Sequence, residues 1–80
     1  MIDQTLKRIF DKFDKETGGD GYFIRVHLQG STSFFGAYKW TAGYATLEIQ
    51  FETEQSIGLG VHIDSTQIVA IEGPFLNWDI

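Results

Sequence analysis

The chain changes its apolar period once, at Gly18-Gly19, and that change governs everything it can fold into. Before it, Ile2, Leu6, Ile9, Phe10 and Phe13 recur at helical spacing and fall on one face. Asp3 is placed to cap the first turn, Asp11 and Lys15 to pair across one turn, and Gly18 to end the helix in the left-handed C′ conformation. After it, apolar residues recur at every second position, the period of a strand with two unlike faces. The helical stripe is too broad to face water and needs a sheet to dock on.

The alternation predicts strands over about 22–29, 34–40, 44–52, 57–64 and 67–72, after a helix over about 3–17 and before a C-terminal tail at 73–80. Gly30 to Ser33, Ala42-Gly43, Thr53 to Ser56 and Asp64 to Thr66 supply the turns, and Gly73-Pro74 closes the last strand. A helix followed by a run of strands, without βα alternation, indicates an α+β fold. The expected architecture is one domain over 1–80, with the amphipathic helix packed on one face of a four- to five-stranded antiparallel meander.

Pairing the third and fourth strands about a turn at 53–56 sets Phe51 opposite Ile57, Ile49 opposite Leu59, Leu47 opposite Val61 and Ala45 opposite Ile63. The reverse face then sets Glu48 opposite Gly60, Thr46 opposite His62 and Tyr44 opposite Asp64. Gly58 and Gly60 leave a strip without side chains there. Such a strip serves close approach of a ligand or backbone, or relieves twist and crowding. The fifth strand has two registers. One sends Ile68 and Ala70 towards the helix and exposes Val69 and Ile71 beside Gly60; the other reverses them.

Composition narrows the function. With 42% hydrophobic residues in 80, the chain has the apolar content of a folded domain. It has no cysteine, which removes disulfides, thiol chemistry and Cys-ligated zinc and favours a reducing, cytoplasmic setting. Neither a leader pattern nor a membrane-length apolar run is expected from the sequence. The net charge is −5, and only Arg25 and Lys39 are basic beyond the helix, too few to bind nucleic acid directly. An acidic surface suits a basic partner protein, although −5 also lies within the range that simply keeps a small domain in solution.

No constellation specifies chemistry. Counting a calcium loop from Asp14 puts Gly19 at the required glycine but Arg25 where a glutamate must stand; counting to Gly21 puts His27 there. His62 and Asp64 share a strand face, and with His27 and Glu48 they form a generic two-histidine, one-carboxylate set. Phosphate and nucleotide loops are missing, and the Gly18 to Gly21 run follows a helix C-terminus, the wrong dipole end for phosphate. Phe34, Phe35, Tyr38, Trp40 and Trp78 serve either a thin core or a contact surface.

The expectation is a non-enzymatic, cofactor-free protein-binding module of the inhibitor, immunity or phage anti-defence kind. Its contact residues would be Tyr38, Trp40, Tyr44, Glu48, Glu52, Gly58, Gly60, His62 and Asp64. The first alternative is a self-associating subunit that pairs through a sheet edge or a Val69/Ile71 patch, as in a homodimer. The second is a small metal- or ligand-dependent enzyme using His27, His62, Asp64 and Glu48.

Overall fold

A computed structural model describes residues 1–40, 46–51 and 59–76. Helix α1 spans Asp3–Thr17; β1 is Phe23–Leu28, β2 Ser33–Lys39, β3 Thr46–Phe51, β4 Leu59–Asp64 and β5 Ile68–Phe75, with a 3-10 turn at Ser65–Gln67 between β4 and β5. The fold is α+β, one helix and a five-stranded antiparallel sheet, and the helical and strand periods fall where the sequence places them.

The helix begins differently from the expectation. Ile2 is the N-cap and offers no side-chain bond; its carbonyl accepts from the Thr5 and Leu6 amides at 3.1 Å. Asp3 sits in the first turn, where its charge suits the positive end of the helix. Gly18 closes the helix with φ 67° and donates to the Asp14 carbonyl. The charged face pairs Lys7 with Asp11 at 2.8 Å and Lys12 with Glu16 at 3.9 Å, not Asp11 with Lys15. Leu6, Phe10 and Phe13 are buried, whereas Ile2 lies outside the stripe, 68% exposed.

The sheet order is β4-β3-β2-β1-β5. Strands β1 to β4 form the expected meander, but β5 does not extend it. It returns to the far edge and pairs antiparallel with β1. A flat sheet forbids this. Four inter-strand steps span about 19 Å at ordinary spacing. Asp64 is also level with the start of β3, and Ile68 with the end of β1, at opposite ends of β2. Four Cα steps reach at most about 14 Å. The sheet must therefore coil on itself into a half-open barrel. Asp64 caps the connecting turn, its Oδ1 accepting from the Thr66 amide at 2.9 Å and the Thr66 hydroxyl at 2.8 Å.

The coiled sheet encloses Ile24, Val26, Leu47, Ile49, Ile63 and Ile68, and Leu6, Phe10 and Phe13 close it from the helix side. Each fully buried aliphatic side chain contributes about 1.5–3 kcal/mol. The register of β3 with β4 differs from the expectation by two residues: Phe51 pairs with Leu59, Ile49 with Val61 and Leu47 with Ile63. An even shift keeps every side chain on its face, so the inner set stays apolar.

The fifth strand takes neither expected register. Leu28 pairs with Ile68 but His27 with Ala70, so Val69 is an extra residue in a bulge. The bulge restores inward orientation to both Ile68 and Ile71, three positions apart, and leaves Val69 53% exposed. The strand also runs through Gly73-Pro74, expected to end it, as far as Phe75. A second irregularity there sets Gly73 and Pro74 against Ile24.

Candidate functional site

The coiled sheet sorts the expected contact residues onto two surfaces. Glu48, Gly60, His62 and Asp64 lie on the outer face of β3 and β4, where Glu48 pairs with His62, Thr46 with Asp64 and Gln50 with Gly60. Tyr38 and Trp40 lie on the inner side, against the helix: the Phe10 ring stacks on Tyr38 at 4.3 Å and lies 5.4 Å from Trp40. Tyr44, Glu52 and Gly58 fall outside the described residues. The aromatic pair and the acidic pair therefore do not share a face, although both belong to the end of the sheet where β2 finishes and β3 begins.

Gly60 is not an open gap. A Cβ there would stand 3.0 Å from the Ile49 carbonyl oxygen and 3.3 Å from the Glu48 carboxylate. The glycine makes room for its neighbour's side chain, one of the two roles such a strand glycine serves. Asp64 is held by its turn bonds, which keep its carboxyl below the usual carboxylate range. His27 sits on β1, three strands from His62, and its Nε2 bonds to Glu72 on β5. Among the described residues no group of three or more His, Cys, Asp or Glu side chains is placed to hold a metal ion. None of the described helices is long and apolar enough to cross a membrane.

The charge is divided unevenly. Helix α1 carries Asp3, Asp11, Asp14 and Glu16 against Lys7, Arg8, Lys12 and Lys15, and is neutral. The rest of the chain has seven carboxylates against Arg25 and Lys39, so the whole −5 arises outside the helix; Glu48, Asp64 and Glu72 stand on strands, Asp20 in the turn after the helix, and Glu52, Glu54 and Asp79 outside the described residues. Neither β3 nor β4 contains a lysine or arginine.

A groove of about 560 Å³ opens where the helix ends and the chain turns into β1, lined by Asp14, Asp20, Tyr22, Phe23, Tyr38 and Trp40 among others. The Gly18 to Gly21 turn brings Tyr22 back towards the end of the helix. The Tyr22 hydroxyl thereby reaches the last helical turn and donates to Asp14 Oδ1 at 2.9 Å. The Tyr38 hydroxyl meets that of Tyr22, and the three groups form one chain. Burial, and then the Tyr38 hydroxyl and Asp14 carboxylate, push the Tyr22 phenol far above its usual 10.0. Burial raises that of Tyr38 as well, against the opposing bond to Tyr22. The indole Nε1 of Trp40 is buried with no acceptor among the described residues. The sequence reading missed Asp14, Asp20 and Tyr22 as a set. Its signal was an acid in the last helical turn and a tyrosine opening the next strand, eight residues on.

Comparison with known protein families, with functionally characterised proteins and with solved structures finds no match. The fold class and the two surfaces are what there is to reason from.

Proposed function

We propose that this chain is an acidic, non-catalytic binding module that occupies a basic surface of a partner protein, in the manner of an inhibitor, immunity or phage anti-defence protein. The outer face of β3 and β4 is its contact surface. One observation carries the reading: the helix is neutral, the −5 arises outside it, and the two strands bearing Glu48 and Asp64 contain no lysine or arginine. Complementary charge steers encounter and rejects partners of like sign. The face is built on strands, so it meets a partner with little ordering cost.

The test is capture of partner from lysate of the source cell or its host by the tagged protein, at two salt concentrations. Glu48→Lys with Glu52→Lys should remove a salt-sensitive, stoichiometric partner while leaving the circular dichroism spectrum unchanged. Asp64 is spared because it holds the 3-10 turn. Capture undiminished by the double reversal refutes the assignment of this face.

A second reading, self-association, is favoured by β4 and β5, which are the edges of the sheet among the described residues. The β5 edge is blunted by its bulge and by Pro74, which leaves β4 as the strand to pair across a two-fold axis. A monomer by light scattering at high micromolar concentration excludes it.

A further inference from the structure

We infer that the groove at the C-terminal end of α1 receives an arginine side chain of the basic partner. The inference deepens the reading above and rests on the partner being basic. Three features of the groove point to a planar organic cation.

The first is charge. Asp14 and Asp20 line the groove, no lysine, arginine or histidine does so among the described residues, and the helix presents its carbonyl end there. The negative pole of the helix and the two carboxylates add in the same direction. The second is the wall. Tyr22, Tyr38 and Trp40 supply aromatic surface, and cations are drawn to the faces of such rings, most strongly to Trp and Tyr. Guanidinium suits the combination better than ammonium, because it is flat, weakly hydrated and forks onto a carboxylate while stacking on a ring.

The third is preorganisation. Asp14 is not a loose surface acid. Tyr22, 7% exposed, holds its Oδ1, and Tyr38 holds Tyr22 in turn, while Phe10 and Phe13 pack behind both rings. One carboxylate oxygen is thereby fixed and the other remains for a ligand. The volume is in the range of ordinary ligand sites, about 300–1,000 Å³, and ample for one side chain. Among the described residues no group of three or more His, Cys, Asp or Glu side chains is placed there to hold a metal ion instead.

The test uses the intact chain carrying Trp78→Phe, so that Trp40 is its one indole, titrated with an end-blocked tetra-arginine peptide and followed by tryptophan fluorescence. Binding should be saturable and weakened by salt. Asp14→Asn, which keeps an acceptor for Tyr22, and Asp20→Asn should each raise the Kd about three- to tenfold, the range of partly desolvated cation contacts. Asp3→Asn removes the same charge from the opposite end of α1 and should change it less than about twofold, as expected of a screened, distant charge. An equivalent peptide with neutral citrulline in place of arginine should not bind.

Equal weakening by Asp3→Asn and Asp20→Asn overturns the inference, since it marks general attraction to an acidic protein. Equal binding of the citrulline peptide, or no saturation at millimolar peptide, overturns it as well. The two proposals fail separately. Peptide binding that ignores Asp14 and Asp20, with partner capture still lost on reversal of Glu48 and Glu52, sinks the groove alone. Peptide binding that needs them, with capture unaffected by that reversal, sinks the outer face alone.

Discussion

Replacing Tyr22 by Phe removes one oxygen from the centre of the groove and should register twice, in the stability at neutral pH and in its dependence on alkali. The Tyr22 hydroxyl gives a charge-assisted bond to Asp14 and shares a second bond with the Tyr38 hydroxyl. Asp14 is exposed and recovers water; Tyr38 is half-buried and recovers less. The net cost is about 1–2 kcal/mol, the usual worth of such bonds after rehydration. In a domain of this size each kcal/mol moves Tm by about 4–8 °C, so a fall of roughly 5–15 °C is expected. The alkaline limb is the sharper readout. Below pH 10 both folded and unfolded chains keep the Tyr22 proton, and that phenol contributes no slope. Above it the unfolded chain releases the proton while the folded one retains it, because the folded phenol lies far above 10.0. Unfolding then liberates a proton, and stability falls as pH rises, by about 1.4 kcal/mol per pH unit for this one group. Urea titrations at pH 8, 10, 11 and 12 on both proteins isolate the term, since every other ionisable group is common to them. The wild type should fall more steeply above pH 10, and the two curves should converge. Parallel curves would show that the Tyr22 phenol titrates alike in both states, and would refute the network.

Two further substitutions probe the packing behind the groove. Phe10→Ala deletes a ring that is 4% exposed and touches Phe13, Tyr38 and Trp40; it should cost about 3–5 kcal/mol by chemical denaturation and leave the chain largely unfolded at 37 °C. Trp40→Phe removes the buried Nε1 that has no acceptor among the described residues, and relief of about 1–3 kcal/mol should offset the lost ring area, so that denaturation midpoints stay level or rise; a loss above 2 kcal/mol would mean the indole nitrogen is satisfied in solution.

What the sequence made legible was whatever depends on period alone. Leu6, Phe10 and Phe13 at helical spacing and Gly18 after them define the helix and its end, and alternation assigns Leu47, Ile49 and Ile63 to one face. Alternation is blind to even shifts, which is why the β3 to β4 register was off by two residues with no face misassigned. It is equally blind to which strand lies beside which. The place of β5 follows from the coiling of the sheet, a property of all five strands that no short window contains. The Val69 bulge defeats it from the other side. Ile68 and Ile71 are both directed inward at a spacing of three, and a strict period of two must misplace one of them. Tyr38 and Trp40 were ambiguous because β2 is aromatic on both faces: Phe34 and Tyr38 inward, Phe35 outward against Phe23 and Phe75.

The coiling also bears on how two surfaces on opposite faces serve one partner. Tyr38 and Lys39 end β2, and Lys39 pairs with Glu48, so the outer acidic face begins one strand away from the aromatic groove. A partner that wraps this end of the sheet meets the outer face of β3 and β4 on one side and the end of α1 on the other, without reaching through the core. The polar groups around it are arranged for holding rather than for proton transfer. Asp64 is committed to a turn, Asp14 accepts from Tyr22, and the two phenols are moved away from neutrality, whereas a general base or acid works best with its pKa near the working pH. Fixed carboxylates beside rigid aromatic rings favour differential binding of a cation over chemistry upon it, and this favours a module that occupies its partner over an enzyme that alters it.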